Sequence, residues 1–191
     1  MGNYVGDAGT FLIDTVIGLY ILVIVVRFLL QWMRADFYNP IAQFVVTVTN
    51  PPLVFLRRFI PGLWGIDLAS IVLMLVLSIV KIYVIAAIAG FTPSFAGVLV
   101  LSIGELIQLT VYVFIVTMLI RVILSWIAPG GYNPALALII SLTEPLMAPA
   151  RRLVPSISGL DLSPMVVFIL LYLTLMLVVR PILDYGRLLA A

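Results

Sequence analysis

Thr49-Asn50-Pro51-Pro52-Leu-Val-Phe-Leu-Arg57-Arg58-Phe-Ile-Pro61 returns 94 positions later as Thr143-Glu144-Pro145-Leu-Met-Ala-Pro-Ala-Arg151-Arg152-Leu-Val-Pro155 (143 − 49 = 94). Working outward without a gap, Arg27, Trp32, Asn39, Pro40, Gly65 and Asp67 meet Arg121, Trp126, Asn133, Pro134, Gly159 and Asp161 at the same offset. From Arg27 to Ser70 against Arg121 to Pro164, 14 of 44 positions are identical, and most of them are not the apolar residues that two membrane segments share by chance. The chain therefore reads as a unit copied head to tail, and a repeat is sought before any fold is assigned.

The medium follows from composition. Of 191 residues, 64% are hydrophobic and only 9% charged, far from the roughly 25% charge of soluble domains, so the chain is expected in a bilayer. It has no cysteine and no histidine, which excludes disulfides, thiolate or imidazole metal sites and His-ligated haem as chemistry of this chain alone. The 7 methionines are spread through apolar runs and read as packing residues; no metal or cofactor is expected. A net charge of +2 is too small to point to nucleic acid. The N-terminus, MGNYVGDAG, lacks the basic start of a signal peptide, so the first hydrophobic run is expected to be retained.

Four runs suffice to span about 30 Å of hydrocarbon, which needs around 20 helical residues: roughly Thr10 to Trp32, Leu68 to Ala89, Gly104 to Trp126 and Leu162 to Leu183. The expectation is an all-α polytopic bundle forming one membrane domain over 1–191, with repeats at about 10–90 and 104–184. Two spans per repeat bring both copies in from the same side, so the repeats are parallel rather than inverted. Between the spans of each repeat lies an elbow, Tyr38 to Pro61 and Tyr132 to Pro155. Asn39 caps a helix that Pro40 opens, and Asn133-Pro134 does the same. Ile41, Phe44, Val45 and Val48 then share a face, whereas Pro51 and Pro145 are expected to break each elbow into two short helices of about 12 to 15 Å at 1.5 Å per residue, lying at the interface or re-entering. Gly62 and Gly65, and in the second copy Ser156, Ser158 and Gly159, make the turn to Asp67 and Asp161, which cap the next spans. Gly90 to Gly97 links the repeats. Seven arginines, Arg27, Arg34, Arg57, Arg58, Arg121, Arg151 and Arg152, sit by the elbows against Arg180 and Arg187 at the other end, which favours cytoplasmic elbows and periplasmic termini.

The elbow motif, with Gly159-Leu-Asp161-Leu-Ser-Pro164 following the second copy and the looser Gly65-Ile-Asp67-Leu-Ala-Ser70 following the first, resembles the YggT family of bacterial and plastid membrane proteins. The first copy departs from it in having Asn50 for Glu144 and no Ser-Pro at Ala69 and Ser70. The resemblance implies a small inner-membrane or thylakoid protein, linked to osmotic-shock tolerance, cell division or nucleoid distribution, or assembly of cytochrome b6 haem. No reaction comes with it.

Three sets of residues are candidates for function. Arg57, Arg58, Arg151 and Arg152 at headgroup level gain about 1 kcal/mol each near anionic lipid. Either they anchor and pair with Asp67 and Asp161 ten residues on, or with those aspartates they form a surface that docks a protein partner or anionic headgroups. Arg27 and Arg121, five residues before Trp32 and Trp126, either snorkel or turn inward onto the elbow, Arg27 sharing a helix face with Gln31 and Arg34. Asp14, Lys81 and Glu105 lie within spans and are not duplicated. A charge there costs about 2.5 to 3.5 kcal/mol, so Lys81 is expected to pair with Asp14, with Glu105 at the mouth; an ion pathway is the alternative. No nucleophile and base are spaced for catalysis, so no enzyme is expected. The preferred reading is a non-catalytic assembly or scaffolding factor, and the alternative a small channel or transport accessory in osmotic balance.

Overall fold

A computed structural model describes residues 4–63, 65–127, 133–154 and 161–191, with the side chains at 126 and 127 excepted. Pro155, Tyr132, Ser156, Ser158, Gly159 and the Trp126 side chain thus lie outside the described residues. Seven α-helices occur among them: α1 Tyr4–Trp32, α2 Pro40–Leu56, α3 Leu68–Ala89, α4 Phe95–Ile127, α5 Pro134–Leu153, α6 Ser163–Thr174 and α7 Arg180–Ala190. A π-helical segment, Leu175–Val179, joins α6 to α7 in one rod, so four helical segments are long and apolar enough to cross a membrane.

The bundle pairs α1 with α3 and α4 with the α6–α7 rod, and α3 against α4 joins the two halves. Buried side chains gather toward the elbow end, where Ile24, Leu29 and Leu30 of α1 meet Leu53 of α2 and Met118 and Met147 of the second half. The rest of the long helices turns Phe11, Val16, Val76, Val116 and Leu177 outward, as a surface solvated by acyl chains requires.

Both elbows lie at one end of the bundle and touch. Asn39, buried, accepts from the Ile41 N–H at 2.9 Å as an N-cap and donates its amide to the Pro134 carbonyl at 2.7 Å, tying the start of α2 to the start of α5. Asn133 caps α5 in the same way through the Ala135 N–H at 2.9 Å.

Each elbow holds one continuous helix instead of the expected broken pair: α2 keeps Pro51 and Pro52 inside, and α5 keeps Pro145 and Pro149. Proline already has helical φ, and its cost is a missing donor and a ring clash, about 3 kcal/mol. Tertiary contacts on both sides of the prolines outweigh that cost. Arg27 grips the turn just before Pro51, and Leu53 just after it is fully buried; Arg121 and Met147 do the same around Pro145. The 17 residues of α2 therefore reach roughly 25 Å.

Two further boundaries differ from expectation. The linker is shorter, because Gly90 ends α3 in the left-handed conformation (φ 79°) and α4 already starts at Phe95. Gly97 and Gly104, which look like breakers, instead admit the neighbouring rod. A Cβ at Gly97 would collide with the backbone of Ala190, and one at Gly104 would come within 2.7 Å of the Leu183 side chain. The fourth span passes through the π-turn, where the Arg180 N–H bonds to the Leu175 carbonyl, and continues beyond Leu183 to Ala190. Pro181 cannot supply the next ladder donor, and the widened turn takes up that loss.

Candidate functional site

At the elbow end, the arginines that could have snorkelled point inward. Arg27 is only 4% exposed. Its guanidinium donates to the Thr49 hydroxyl at 2.6 Å, the Asn50 side-chain oxygen at 2.8 Å and the Val46 carbonyl at 3.3 Å. Arg121 repeats the fork 94 residues on, to the Thr143 hydroxyl at 2.7 Å and the Glu144 carboxylate at 2.8 Å. Both threonines pass their own proton back one turn at 2.7 Å, to the carbonyls of Val45 and Ile139. Arg34 does not share this face: it lies past the end of α1 with φ 53°, exposed, in the left-handed turn that ends the helix. Trp32 stands half outside beside Phe28, at 5.7 Å between ring centroids, as an interfacial indole does.

One arginine of each pair is bound to the aspartate ten residues on. Arg57 donates to Asp67 at 2.5 Å, and Arg151 to Asp161 at 3.3 Å. The two arrangements are not equal. Asp67 is 5% exposed and also accepts from the Ser70 hydroxyl at 2.5 Å; it sits at the N-cap position of α3, but its side chain caps nothing. It belongs to the interior of the elbow, not to an outward docking face. Burial pushes its pKa up, yet the bonds from Arg57 and Ser70 outweigh this and hold it below the usual carboxylate value. In the second copy Pro164 replaces Ser70, so the hydroxyl three residues after the aspartate is missing. Ser163, by its side chain first and by its N–H at 2.9 Å second, lowers the pKa of Asp161, and Arg151 divides itself between Asp161 and Glu144, the latter at 2.8 Å. Glu144, bonded by Arg121 first and Arg151 second, also stays ionised below its ordinary range. Arg58 and Arg152 are exposed and have no ion pair or hydrogen bond among the described residues.

Toward the other end, Lys81 of α3 reaches Asp14 of α1 at 2.9 Å and Glu105 of α4 at 3.1 Å, and Ser78 donates to Glu105 at 3.3 Å. Asp14 and Glu105 each lie ten residues inside their helix ends, roughly 15 Å, deeper than the shorter expected spans placed them. The cluster stands between two cavities. One, of about 490 Å³, runs toward the elbows past Gly18, Leu22 and Tyr112; the other, of about 280 Å³, opens the opposite way past Phe91 and Arg187. Gln108, not singled out in the sequence, lines both; it holds the position equivalent to Asp14 in the second copy. No group of three or more metal-ligating side chains occurs among the described residues.

The repeated fork and the repeated arginine–aspartate bridge recur where sequence comparison finds a family twice. The sequence model of the CCB3/YggT family matches residues 7–88 and again 100–182. The chain belongs to the CCB3/YggT family. It is 40% identical over 184 residues to the uncharacterized protein YggT of Escherichia coli K12, covering 94% of each chain. It is 44% identical over 175 residues to an uncharacterized protein of Pseudomonas aeruginosa, covering 91% of this chain and 89% of that one. It is also 44% identical over 162 residues to a Vibrio alginolyticus protein described by its position in the proC 3' region, covering 84% and 87%. No solved structure matches the chain. The family match thus adds to the four apolar spans without assigning a role to any side chain.

Proposed function

We propose that this family member is a non-catalytic factor of the bacterial inner membrane, with cytoplasmic elbows and periplasmic termini, whose elbow end docks an acidic protein partner through Arg58 and Arg152. The observation that carries this reading is the division of labour within each arginine pair. The first residue is spent on an aspartate of the fold, and the second, at the same offset from the prolines, stands exposed without a partner among the described residues. Anchoring to anionic lipid needs positive charge near the headgroups but not a fixed geometry of adjacent arginines. The elbows supply the geometry, since α2 and α5 are locked to the spans by the Arg27 and Arg121 forks and to each other through Asn39.

Crosslinking in native membranes followed by affinity purification tests this. Arg58→Gln with Arg152→Gln should abolish capture of a specific partner while leaving the thermal stability of the purified protein unchanged. A partner captured equally by the double variant, or no partner from wild type, would refute the reading.

A second reading has one observation in its favour: Asp14, Lys81, Glu105 and Gln108 line both cavities, so an opening of the ion-paired cluster would connect them. That is the arrangement of a small channel or transport accessory. Proteoliposome flux of potassium or protons that vanishes in Lys81→Leu would support it; wild-type vesicles no leakier than empty ones would remove it.

A further inference from the structure

The two halves differ most where they ought to match. In the first half Leu53, Ser70, Met74 and Ser78, beyond the Arg57–Asp67 bridge, are all buried. The equivalent residues of the second half are Met147, Pro164, Phe168 and Tyr172, and there a groove of about 970 Å³ opens between α4, the C-terminal half of α5 and α6. Ser78 is buried and donates to Glu105 of α4, whereas its equivalent Tyr172 is half exposed and lines the groove with Phe168. Pro164 in place of Ser70 also removes the hydroxyl that fastens Asp67 inward.

The groove's walls and mouth differ in chemistry. Four of the chain's 7 methionines, Met118, Met147, Met165 and Met176, line it, and such unbranched, polarisable side chains adapt to a flexible apolar guest. On the α6 side Met165 and Ile169 are 63% and 49% exposed, on a span of mean hydropathy 2.5, so what surrounds this opening in a bilayer is acyl chain. At the elbow end the mouth carries Arg121, Arg151 and Asp161. Arg151 uses Nε on Asp161 and Nη1 on Glu144, which leaves the two N–H groups of Nη2 to donate. Asp161, 43% exposed, is held by Arg151 only at 3.3 Å. A guanidinium with spare donors therefore stands beside a half-exposed carboxylate at headgroup level.

We propose that this groove is a binding site for a single phospholipid with a phosphoethanolamine headgroup, one acyl chain lying along the methionine-lined wall, the phosphate on Arg151 and the ammonium on Asp161. A mouth carrying both signs complements a zwitterion better than an anionic glycerol headgroup, whose hydroxyls can donate to Asp161 but bring no positive charge to it. The volume lies near the top of the roughly 300 to 1,000 Å³ typical of small-molecule sites. The proposal is independent of partner docking at Arg58 and Arg152.

The test is native mass spectrometry of the full chain, reconstituted in equal phosphatidylethanolamine and phosphatidylglycerol and released into mild detergent. Wild type should retain a single phosphatidylethanolamine several-fold over phosphatidylglycerol. Ile169→Trp, which fills the groove from its exposed side, should lose it, and Val76→Trp, equally exposed on α3 but away from the groove, should keep it. Asp161→Asn should retain lipid with the headgroup preference gone. The proposal is overturned if wild type retains no lipid or favours phosphatidylglycerol, or if Ile169→Trp retains as much as Val76→Trp at matched thermal stability.

Discussion

Lys81→Met is expected to destabilise the folded protein in lipid by about 3 kcal/mol, because it leaves the exposed Asp14 and the part-buried Glu105 within their spans with no countercharge. The ammonium is the only cation within salt-bridge reach of either carboxylate among the described residues. Without it each acid is an unpaired charge within a span, which costs free energy relative to the paired state. Adding Asp14→Asn and Glu105→Gln should restore most of the stability, since two neutral side chains need no ammonium. Unfolding in bicelles, followed for the single and triple variants, reads this directly. A Lys81→Met protein as stable as wild type at neutral pH would mean that the carboxylates are already hydrated and that the cluster holds nothing together.

Arg27→Met should cost about 2 to 3 kcal/mol, the range of charged hydrogen bonds lost from a buried site. The fork reaches Thr49, Asn50 and the Val46 carbonyl, and it is what carries α2 across Pro51 and Pro52. Its loss should increase amide exchange on both sides of those prolines. Arg27→Lys should recover only part, because an ammonium cannot present a planar fork to a hydroxyl and an amide together. Arg121→Met should be milder, since Glu144 keeps Arg151 at 2.8 Å and Arg121 is less buried. Equal losses for the two substitutions would contradict this ranking.

These two sites mark where sequence reading succeeds and where it stops. The Asn39-Pro40 and Asn133-Pro134 starts are legible because capping is local chemistry, settled by residues two positions apart. The four spans are legible because hydrocarbon thickness sets their length. The Lys81 pairing follows from the cost of an isolated charge in lipid, whichever helix supplies the acid. The direction of Arg27 and Arg121 is not legible, because a snorkelling and an inward arginine have the same sequence neighbourhood; partners 22 and 23 residues away make the difference. For the same reason the sequence alone makes Pro51 and Pro145 look like breaks, and Gly97 and Gly104 like the limits of linker and span. The contacts that carry a helix past a proline, or turn a glycine into a notch for another helix, are tertiary. The groove behind Asp161 has only a faint signal in the chain, the exchange of Ser70 and Ser78 for Pro164 and Tyr172 between copies.

Docking at Arg58 and Arg152 together requires both elbows to face the same leaflet, on the cytoplasmic side. The absence of cysteine makes this directly measurable, because each introduced thiol is the only one in the chain. Single variants Arg58→Cys, Arg152→Cys, Asp7→Cys and Arg187→Cys in intact cells should divide cleanly under a membrane-impermeant maleimide. Positions 7 and 187 should label from outside, and 58 and 152 only after the inner membrane is opened. Labelling of 58 and 152 from opposite sides would contradict the parallel arrangement, and labelling of both from outside would reverse the orientation on which docking of a cytoplasmic partner depends.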